Sequence, residues 1–245
     1  MKKIQVFFCL LVVLTSFVYA TAYPKKFNQL FIVQQQNTAP AIKIINPKNK
    51  AVVNAAVPLN YSVTVSDKED GDSKYDEINI KEVLLQVTYF KDTSTLAAVM
   101  KEPVQKDAAG LAAIRTSNCF NCHNFNNKLT GPSFNEIGKK YTSNTASIAL
   151  LQKHILEGST GVWGNVSMPS HPELNKEQAV NMVQWILQIT ADTNTDYYIG
   201  TTGSFQMPAN KKGAYLLTAS YTDHGLDNDV AQRLKGEDRI VIYSK

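Results

Sequence analysis

The pentapeptide Cys119-Phe120-Asn121-Cys122-His123 constrains this 245-residue chain more than any other feature. In a C-x-x-C-H pattern the two cysteine sulfurs lie about one helical turn apart, so that they can form thioethers with two vinyl groups of one porphyrin. The histidine that follows can bind the iron from beneath the ring. The pattern therefore predicts one covalent c-type haem, with Cys119 and Cys122 as its attachment points and His123 as an iron ligand.

Two other kinds of site contain a Cys-x-x-Cys pair: a redox disulfide and half of a zinc site. Zinc would need two further thiolates or imidazoles nearby, and the remaining cysteine, Cys9, lies far upstream. A thioredoxin-like motif follows a buried strand, whereas the residues before Cys119 have a helical pattern. Both alternatives stay open, but the haem prediction fits these residues better.

The amino terminus has the pattern of an export signal. A basic start is followed by an apolar run over residues 4–18 and by a small residue at Ala20, which predicts a cleavable signal peptide over residues 1–20. The apolar run is too short for a comfortable membrane span. We therefore expect an exported protein, periplasmic or secreted to the cell surface, with a linker over residues 21–40 and no membrane span after cleavage.

The net charge gives little indication of a partner. A formal charge of +4 over the whole chain is too small to favour nucleic acid or an anionic membrane as a binding partner. We therefore expect no nucleic-acid binding.

Three zones of the chain differ in hydrophobic pattern. Residues 41–100 and 195–245 carry period-two, β-branched and aromatic runs that predict strands, whereas residues 107–190 have a helical pattern. Each β zone is short for an independent sandwich of about 100 residues. We therefore expect a multidomain chain with an all-α domain at 107–190. Immunoglobulin-like, β-sandwich segments would flank that domain and together form one split β domain.

Local signals predict four short helices in the central zone. Ser133 and Glu136 match a capping box, and Asn175 with Gln178 opens the last helix in the same way. Asp107 is expected to cap the first helix. The third helix should end at Gly158.

The sixth ligand of a haem iron must come from residues downstream of His123. Met168 is the best candidate, because it lies in a Gly-rich stretch between two predicted helices that can fold over the opposite face of the ring. His171 is its main rival, and Met182 has the mid-helix setting of a core residue. Further candidates are Met207, His154 and His224.

The segment from Asp107 to Ile189 resembles a small class I bacterial cytochrome c. It has C-x-x-C-H near its start, a Gly-Pro pair soon after, a Met-Pro loop and a closing helix with an aromatic residue. The resemblance implies an all-α class I fold and an electron-transfer role, with no catalysis of its own. The residues that it implies at the haem are Cys119 and Cys122 as thioethers, His123 and Met168 on the iron, the Pro132 carbonyl as acceptor from the imidazole, and Trp163 near the haem edge.

The segments 161–164 and 168–172 also resemble multidomain exported proteins of Bacteroidetes-like bacteria, in which a cytochrome accompanies immunoglobulin-like segments. Some of those chains also carry a sugar dehydrogenase. The resemblance implies a redox partner protein, such as a sugar dehydrogenase or another exported oxidoreductase. We expect the β zones to dock the chain to that partner or to the cell surface.

Two other functions remain open. The first is a carbohydrate-binding or adhesive protein that carries the cytochrome as a passenger, with Tyr197, Tyr198, Tyr215 and Tyr221 stacking on sugars. The second is a haem sensor whose iron has five ligands.

An acidic turn between two predicted strands is a candidate calcium site. Its carboxylates, which have the oxygen ligands that calcium prefers, are those of Asp67, Glu69, Asp70 and Asp72. A solvated hairpin is the competing interpretation.

Overall fold

A computed structural model describes residues 36–245. The predicted signal peptide and the predicted linker up to residue 35 lie outside the described residues. Over residues 36–245, no helix is both long and apolar enough to cross a bilayer. The α-helices of this part are α1 Thr93–Val99, α2 Ala109–Thr116, α3 Phe134–Lys140, α4 Thr145–Glu157 and α5 Lys176–Ala191. The strands are β1 Ala41–Asn46, β2 Val52–Val53, β3 Leu59–Asp67, β4 Gly71–Asp72, β5 Leu84–Phe90, β6 Ser159–Gly161, β7 Gly164–Met168, β8 Thr195–Ile199, β9 Thr202–Phe205, β10 Gly213–Thr222 and β11 Lys235–Ser244.

Two sheets form the β part of the molecule. The five-stranded sheet has the order β2-β11-β10-β5-β8, and its pairs are antiparallel except for the parallel pair of β2 with β11. In the four-stranded sheet β1, β4 and β9 all pair with β3. Both sheets therefore combine strands from before and after the helical segment, which we define as residues 107–190.

The inter-sheet core, defined as the apolar cluster between these two sheets, follows from the period-two pattern of the strands. On β3 the side chains of Tyr61, Val63 and Val65 are buried and alternate with more exposed neighbours, because successive strand residues point to opposite faces. Leu217 and Ile242 of the five-stranded sheet are fully buried in the same cluster. The two sheets thus pack face to face.

The outer face of the five-stranded sheet is also covered. Leu84 packs into the apolar cluster of the helical segment, whereas its neighbour Leu85 packs into the inter-sheet core. Tyr197 and Ile199 of β8 also pack against the helices, and Leu96 of α1 covers another part of this face. The molecule therefore has three layers, with the five-stranded sheet in the middle.

The helical segment is inserted between two strands that are neighbours in the sheet. β5 pairs antiparallel with β8, with Leu84 opposite Ile199 and Thr88 opposite Thr195. The chain leaves the sheet after β5, forms α1 and the helical segment, and returns directly as β8. This topology places both ends of the insertion at one edge of the sheet.

The predicted fold class, an all-α cytochrome domain between immunoglobulin-like segments, is wrong for the helical segment. Strands β6 and β7 pair there as an antiparallel hairpin, so the segment is mixed α and β. The physical reason is local: Gly158, Gly161 and Gly164 have φ of 83°, 83° and 105°, a region that glycine enters readily. These glycines allow a tight hairpin where the sequence predicted an irregular loop.

The predicted helix signals hold at three of four places. Ser133 and Glu136 form a complete capping box at α3, and Asn175 with Gln178 forms another at α5. Helix α4 ends at Gly158, as predicted. The expected cap at Asp107 is wrong, because α2 begins after Ala108 without a side-chain cap.

Candidate functional site

An open cavity, with about 1050 Å³ of space when the solvent at its mouth is included, lies between helices α2, α3, α4 and α5 and the β6–β7 hairpin. The cavity wall includes all six side chains predicted for the haem site: Cys119, Cys122, His123, Pro132, Trp163 and Met168. Most of the remaining wall is apolar, from residues such as Ile114, Leu151 and Ile186.

One tight turn places both cysteines and the histidine. Helix α2 ends before Asn118, which has a left-handed φ of 56°, and a 3₁₀ turn follows over Cys119–Asn121. The Cys119 carbonyl accepts hydrogen bonds from the backbone N–H of Cys122 at 3.1 Å and of His123 at 2.9 Å. The turn thus presents both sulfurs and the imidazole to one cavity.

The His123 imidazole is held on three sides. Its Nδ1 lies 2.6 Å from the Pro132 carbonyl oxygen, which leaves Nε2 as the nitrogen free of this contact. A Cβ atom on Gly131 would lie 2.6 Å from Cε1 of the ring, so glycine is required for this close approach. The Phe134 ring is nearly parallel to the imidazole, with centroids 5.7 Å apart. Burial lowers the pKa of His123, and the Pro132 contact opposes that effect.

The β6–β7 hairpin brings Met168 and Trp163 to the cavity. Met168 ends β7 opposite Ser159 and packs against the apolar cluster of the helices. Trp163 lies at the turn, with Lys140 Nζ 4.5 Å from its ring centroid. Lys140 also donates to the Val162 carbonyl at 3.2 Å. One lysine of α3 therefore ties the hairpin to the helices.

The Cys119 thiol is largely buried. Burial raises the pKa of Cys119 to about 12, so this thiol is neutral at pH 7, whereas metal ligation and disulfide exchange need the thiolate. Neither cysteine is in a disulfide. Across residues 36–245, no three His, Cys, Asp or Glu side chains group as a metal site. These observations weaken the zinc and redox-disulfide alternatives.

The donor set and the wall of the cavity fit a haem. Two thiols and an imidazole come from one turn, a thioether comes from the hairpin, and an apolar wall surrounds them. This combination of donors is the one used for attachment and axial ligation in c-type cytochromes.

The other candidate iron ligands have different positions. Met182 and His154 also line the cavity. Met207 is buried in the inter-sheet core. His171 pairs with Glu173, Nδ1 to Oε1, at 2.7 Å. His224 contacts Asp70 and Glu82.

The structure gives no support to the calcium prediction. Asp67 Oδ1 accepts from the backbone N–H groups of Glu69 and Asp70, and Asp70 Oδ2 accepts from the hydroxyl of Tyr221 at 2.7 Å. Asp72 caps a 3₁₀ turn. No metal-binding group of three such side chains is formed in the described part of the chain. The acidic residues instead stabilise a turn.

The tyrosines proposed to stack on sugars are used within the fold. Tyr215 and Tyr221 are buried in the inter-sheet core, and Tyr198 packs against it. Tyr197 stacks on Phe125 in the helical segment, with centroids 5.1 Å apart. These positions do not favour a sugar-binding surface.

Comparison with known proteins identifies the helical segment. A family model for cytochrome c matches residues 108–190. The chain is 33% identical over 82 residues to cytochrome c-551 of Ectopseudomonas mendocina, covering 34% of this chain and 99% of that protein. It is 33% identical over 98 residues to cytochrome c-552 of Hydrogenobacter thermophilus, covering 37% and 99%. The crystal structure of wild-type Nitrosomonas europaea cytochrome c552 is 32% identical, with a TM-score of 0.30 over 31% of this chain and 94% of that one.

Proposed function

Because this chain belongs to the cytochrome c family through residues 108–190, we propose that it transfers single electrons through one covalently bound haem c. The observation that carries the proposal is the cavity that Cys119, Cys122, His123 and Met168 line together. The haem supplies reversible one-electron chemistry at its iron. The protein supplies attachment, axial ligands and a largely dry pocket.

Cys119 and Cys122 are the attachment points. Each would hold one vinyl group of the haem as a thioether, with the sulfur on one vinyl carbon and the thiol proton on the other, so that no free charge is left in the pocket. The 3₁₀ turn between them sets their relative position.

His123 is the proximal ligand through Nε2. The Pro132 carbonyl accepts the Nδ1–H at 2.6 Å, which fixes the tautomer and raises the basicity of the ligand. Gly131 and Phe134 restrict rotation of the ring from two further directions.

Met168 is the distal ligand. Its position at the end of β7, in contact with Ser159 across the hairpin, holds the thioether on a regular element rather than on a free loop. Histidine and methionine ligation raises the reduction potential, and it leaves no open position for a substrate. We therefore assign no enzymatic activity to the chain.

The proposed setting is outside the cytoplasm, in the periplasm or at the cell surface, because haem attachment to C-x-x-C-H follows export in bacteria. The partner is a redox protein, with an exported oxidoreductase such as a sugar dehydrogenase as the specific proposal. The covered outer face of the five-stranded sheet supports a fixed orientation of the haem relative to the β layers.

The visible spectrum of the purified protein tests the proposal. A low-spin haem c spectrum, with pigment that resists acid–acetone extraction, is expected. A high-spin spectrum would support the five-coordinate sensor instead. A protein purified from a cell that matures c-type cytochromes and yet free of haem would overturn the proposal.

The substitution Met168→Ala tests the distal ligand. We expect loss of the weak far-red sulfur-to-iron band of the oxidised protein, together with a lower reduction potential. Met182→Leu is the matched control, since Met182 also lines the cavity but lies in the middle of α5. An unchanged band in Met168→Ala would assign the sixth position to another residue.

A further inference from the structure

Arg115 is the buried cation of the helical segment that lies nearest in sequence to the C-x-x-C-H turn. It lies one turn of α2 before Cys119, and its side chain is 3% exposed. Its neighbour Ile114 lines the cavity, whereas Arg115 extends away from the cavity towards the β layers. At the same helix end, Ile114 thus faces the cavity and Arg115 faces the β layers.

The guanidinium of Arg115 contacts three other parts of the chain. Nε lies 2.9 Å from Asp107 Oδ2, in the segment that leads into α2. Nη2 donates to Ser220 Oγ of β10 at 3.2 Å, and Nη1 donates to the backbone carbonyl of Glu82, just before β5. One side chain therefore joins the end of α2 to β10 and to the segment that leads into β5.

The partner carboxylate is itself fixed by the sheet. Asp107 Oδ2 accepts from Thr222 Oγ1 of β10 at 2.9 Å, and Oδ1 lies 3.3 Å from Lys235 Nζ of β11. Buried ion pairs gain little net stability over apolar side chains of similar size, because desolvation of the charges opposes their attraction. A role in fixing geometry explains such a cluster better than stability does.

We propose that Arg115 is a positioning residue for the haem site, which fixes the end of α2 and the C-x-x-C-H turn against the five-stranded sheet. The inference rests on the proposed haem at Cys119 and Cys122. Ile114 lies in the last turns of α2 and Cys119 follows shortly after the helix, and both line the cavity. A rotation of α2 would therefore move part of the cavity wall and one attachment point together.

Arg115 also acts through its charge. The guanidinium is positive and removed from water, and its backbone position is four residues before Cys119, so its charge disfavours the more positive, oxidised form of a haem attached there. Without the guanidinium, Asp107 would keep only Lys235 as a cationic partner. Because one positive charge is then lost near the haem, the oxidised form is less disfavoured and the reduction potential should fall.

The test compares Arg115→Met and Arg115→Lys with Arg239→Met in the full-length holoprotein. Arg239 is a matched control, since it donates to the carbonyls of Val99 and Glu102 at 2.9 and 2.8 Å and pairs with Glu237. All of these partners lie outside the helical segment. Reduction potential, the NMR shifts of the haem methyl groups and unfolding free energy are measured for each variant.

We expect a lower potential and shifted methyl resonances in Arg115→Met, a smaller displacement of both in Arg115→Lys, and neither change in Arg239→Met. All three variants should lose stability. If Arg115→Met loses stability while its potential and resonances match those of Arg239→Met, the residue has a structural role alone and the proposal is overturned.

Two variants keep the test decisive if Arg115→Met does not fold. Ser220→Ala and Arg115→Lys both retain the positive charge and remove one or more of the hydrogen bonds to the sheet. Shifted haem resonances in both support positioning, and unchanged resonances in both overturn it. Absence of haem from the unaltered protein would instead count against the proposed function, so the two failures are distinguishable.

Discussion

The two apolar regions of this molecule are filled in different ways. In the inter-sheet core the protein's own side chains fill the space, and Val65, Leu217 and Tyr221 have no exposed surface. In the helical segment, helices α2 to α5 and the β6–β7 hairpin instead surround an open, largely apolar cavity. Protein interiors are otherwise packed to crystal-like density. The sheets therefore enclose a core of their own side chains, whereas the helical segment encloses the cavity in which we propose the haem.

The double substitution Cys119→Ala with Cys122→Ala breaks this comparison most strongly. We expect complete loss of covalent haem and loss of hydrogen-exchange protection in α4, because the wall of the cavity then has no partner. Amides of β10 in the middle of the five-stranded sheet should keep much of their protection. Hydrogen exchange monitored by mass spectrometry measures both regions in one sample. Cys119→Ala alone is the control, since one thioether remains; equal protection of α4 in all three proteins would contradict the expectation.

Leu217→Ala tests the filled region. Leu217 is fully buried between the sheets, and a large-to-small change of this kind lowers the free energy of unfolding by about 2–5 kcal/mol. The haem spectrum should not change, because the residue packs away from the helices. Val230→Ala is the control: Val230 is 62% exposed and is not among the residues that line the cavity, so its effect should lie within about 0.5 kcal/mol. A denaturant titration followed by circular dichroism gives both values, and a spectral change in Leu217→Ala would show that the two regions are coupled.

Gly131→Ala tests a tight contact at the edge of the cavity. The new Cβ would lie 2.6 Å from His123 Cε1, so the imidazole must move, at a cost of about 1–3 kcal/mol. We expect a changed reduction potential and a changed spectrum. In the control, Gly213→Ala at the start of β10, the new Cβ would lie 3.6 Å from Tyr89 Cε2, an ordinary contact, although φ is 137°, so stability falls and the spectrum stays the same. Identical potentials for both variants would remove Gly131 from the site.

The smallest expected effect concerns His224, whose imidazole contacts Asp70 and Glu82. The contact from Nε2 to Glu82 Oε2, at 3.0 Å, raises the pKa of His224, and the charges of Glu82 and Asp70 raise it further while burial opposes them. A histidine whose pKa is higher in the folded state adds its full stabilisation of the fold at pH values below the unfolded pKa of about 6.5. That stabilisation is lost as the pH rises through the pKa of the folded state. Stability should therefore decline over that interval in the unaltered protein and less in His224→Gln. Parallel pH profiles of unfolding free energy would contradict this.

Features set by neighbouring residues were predictable from the sequence, and features set by distant ones were not. The capping boxes at Ser133 and Asn175 each depend on residues three positions apart, and both were found. The hairpin that carries Met168 depends on the positive φ of Gly161 and Gly164, a conformation that the sequence permits without requiring. The all-α prediction failed at that point.

The candidate site follows the same rule. The pentapeptide identified three wall residues directly, because the chemistry of attachment fixes their spacing. Arg115 had no such signal, since its partners Asp107, Glu82 and Ser220 come from three separate segments. The roles of all six predicted haem residues stay predictions.

The insertion between β5 and β8 bears on how fast the protein folds. Leu84 and Ile199 are neighbours in the sheet although 114 residues separate them along the chain, and closing a loop of that length carries an entropy cost of about 4 kcal/mol from the logarithmic term alone. Such non-local pairings slow folding. A compact helical segment shortens the effective loop, because its two ends already lie together at one edge of the sheet. Pairing of β8 with β5 should therefore follow compaction of the helical segment. Refolding should accordingly be slower in chains that lack attached haem.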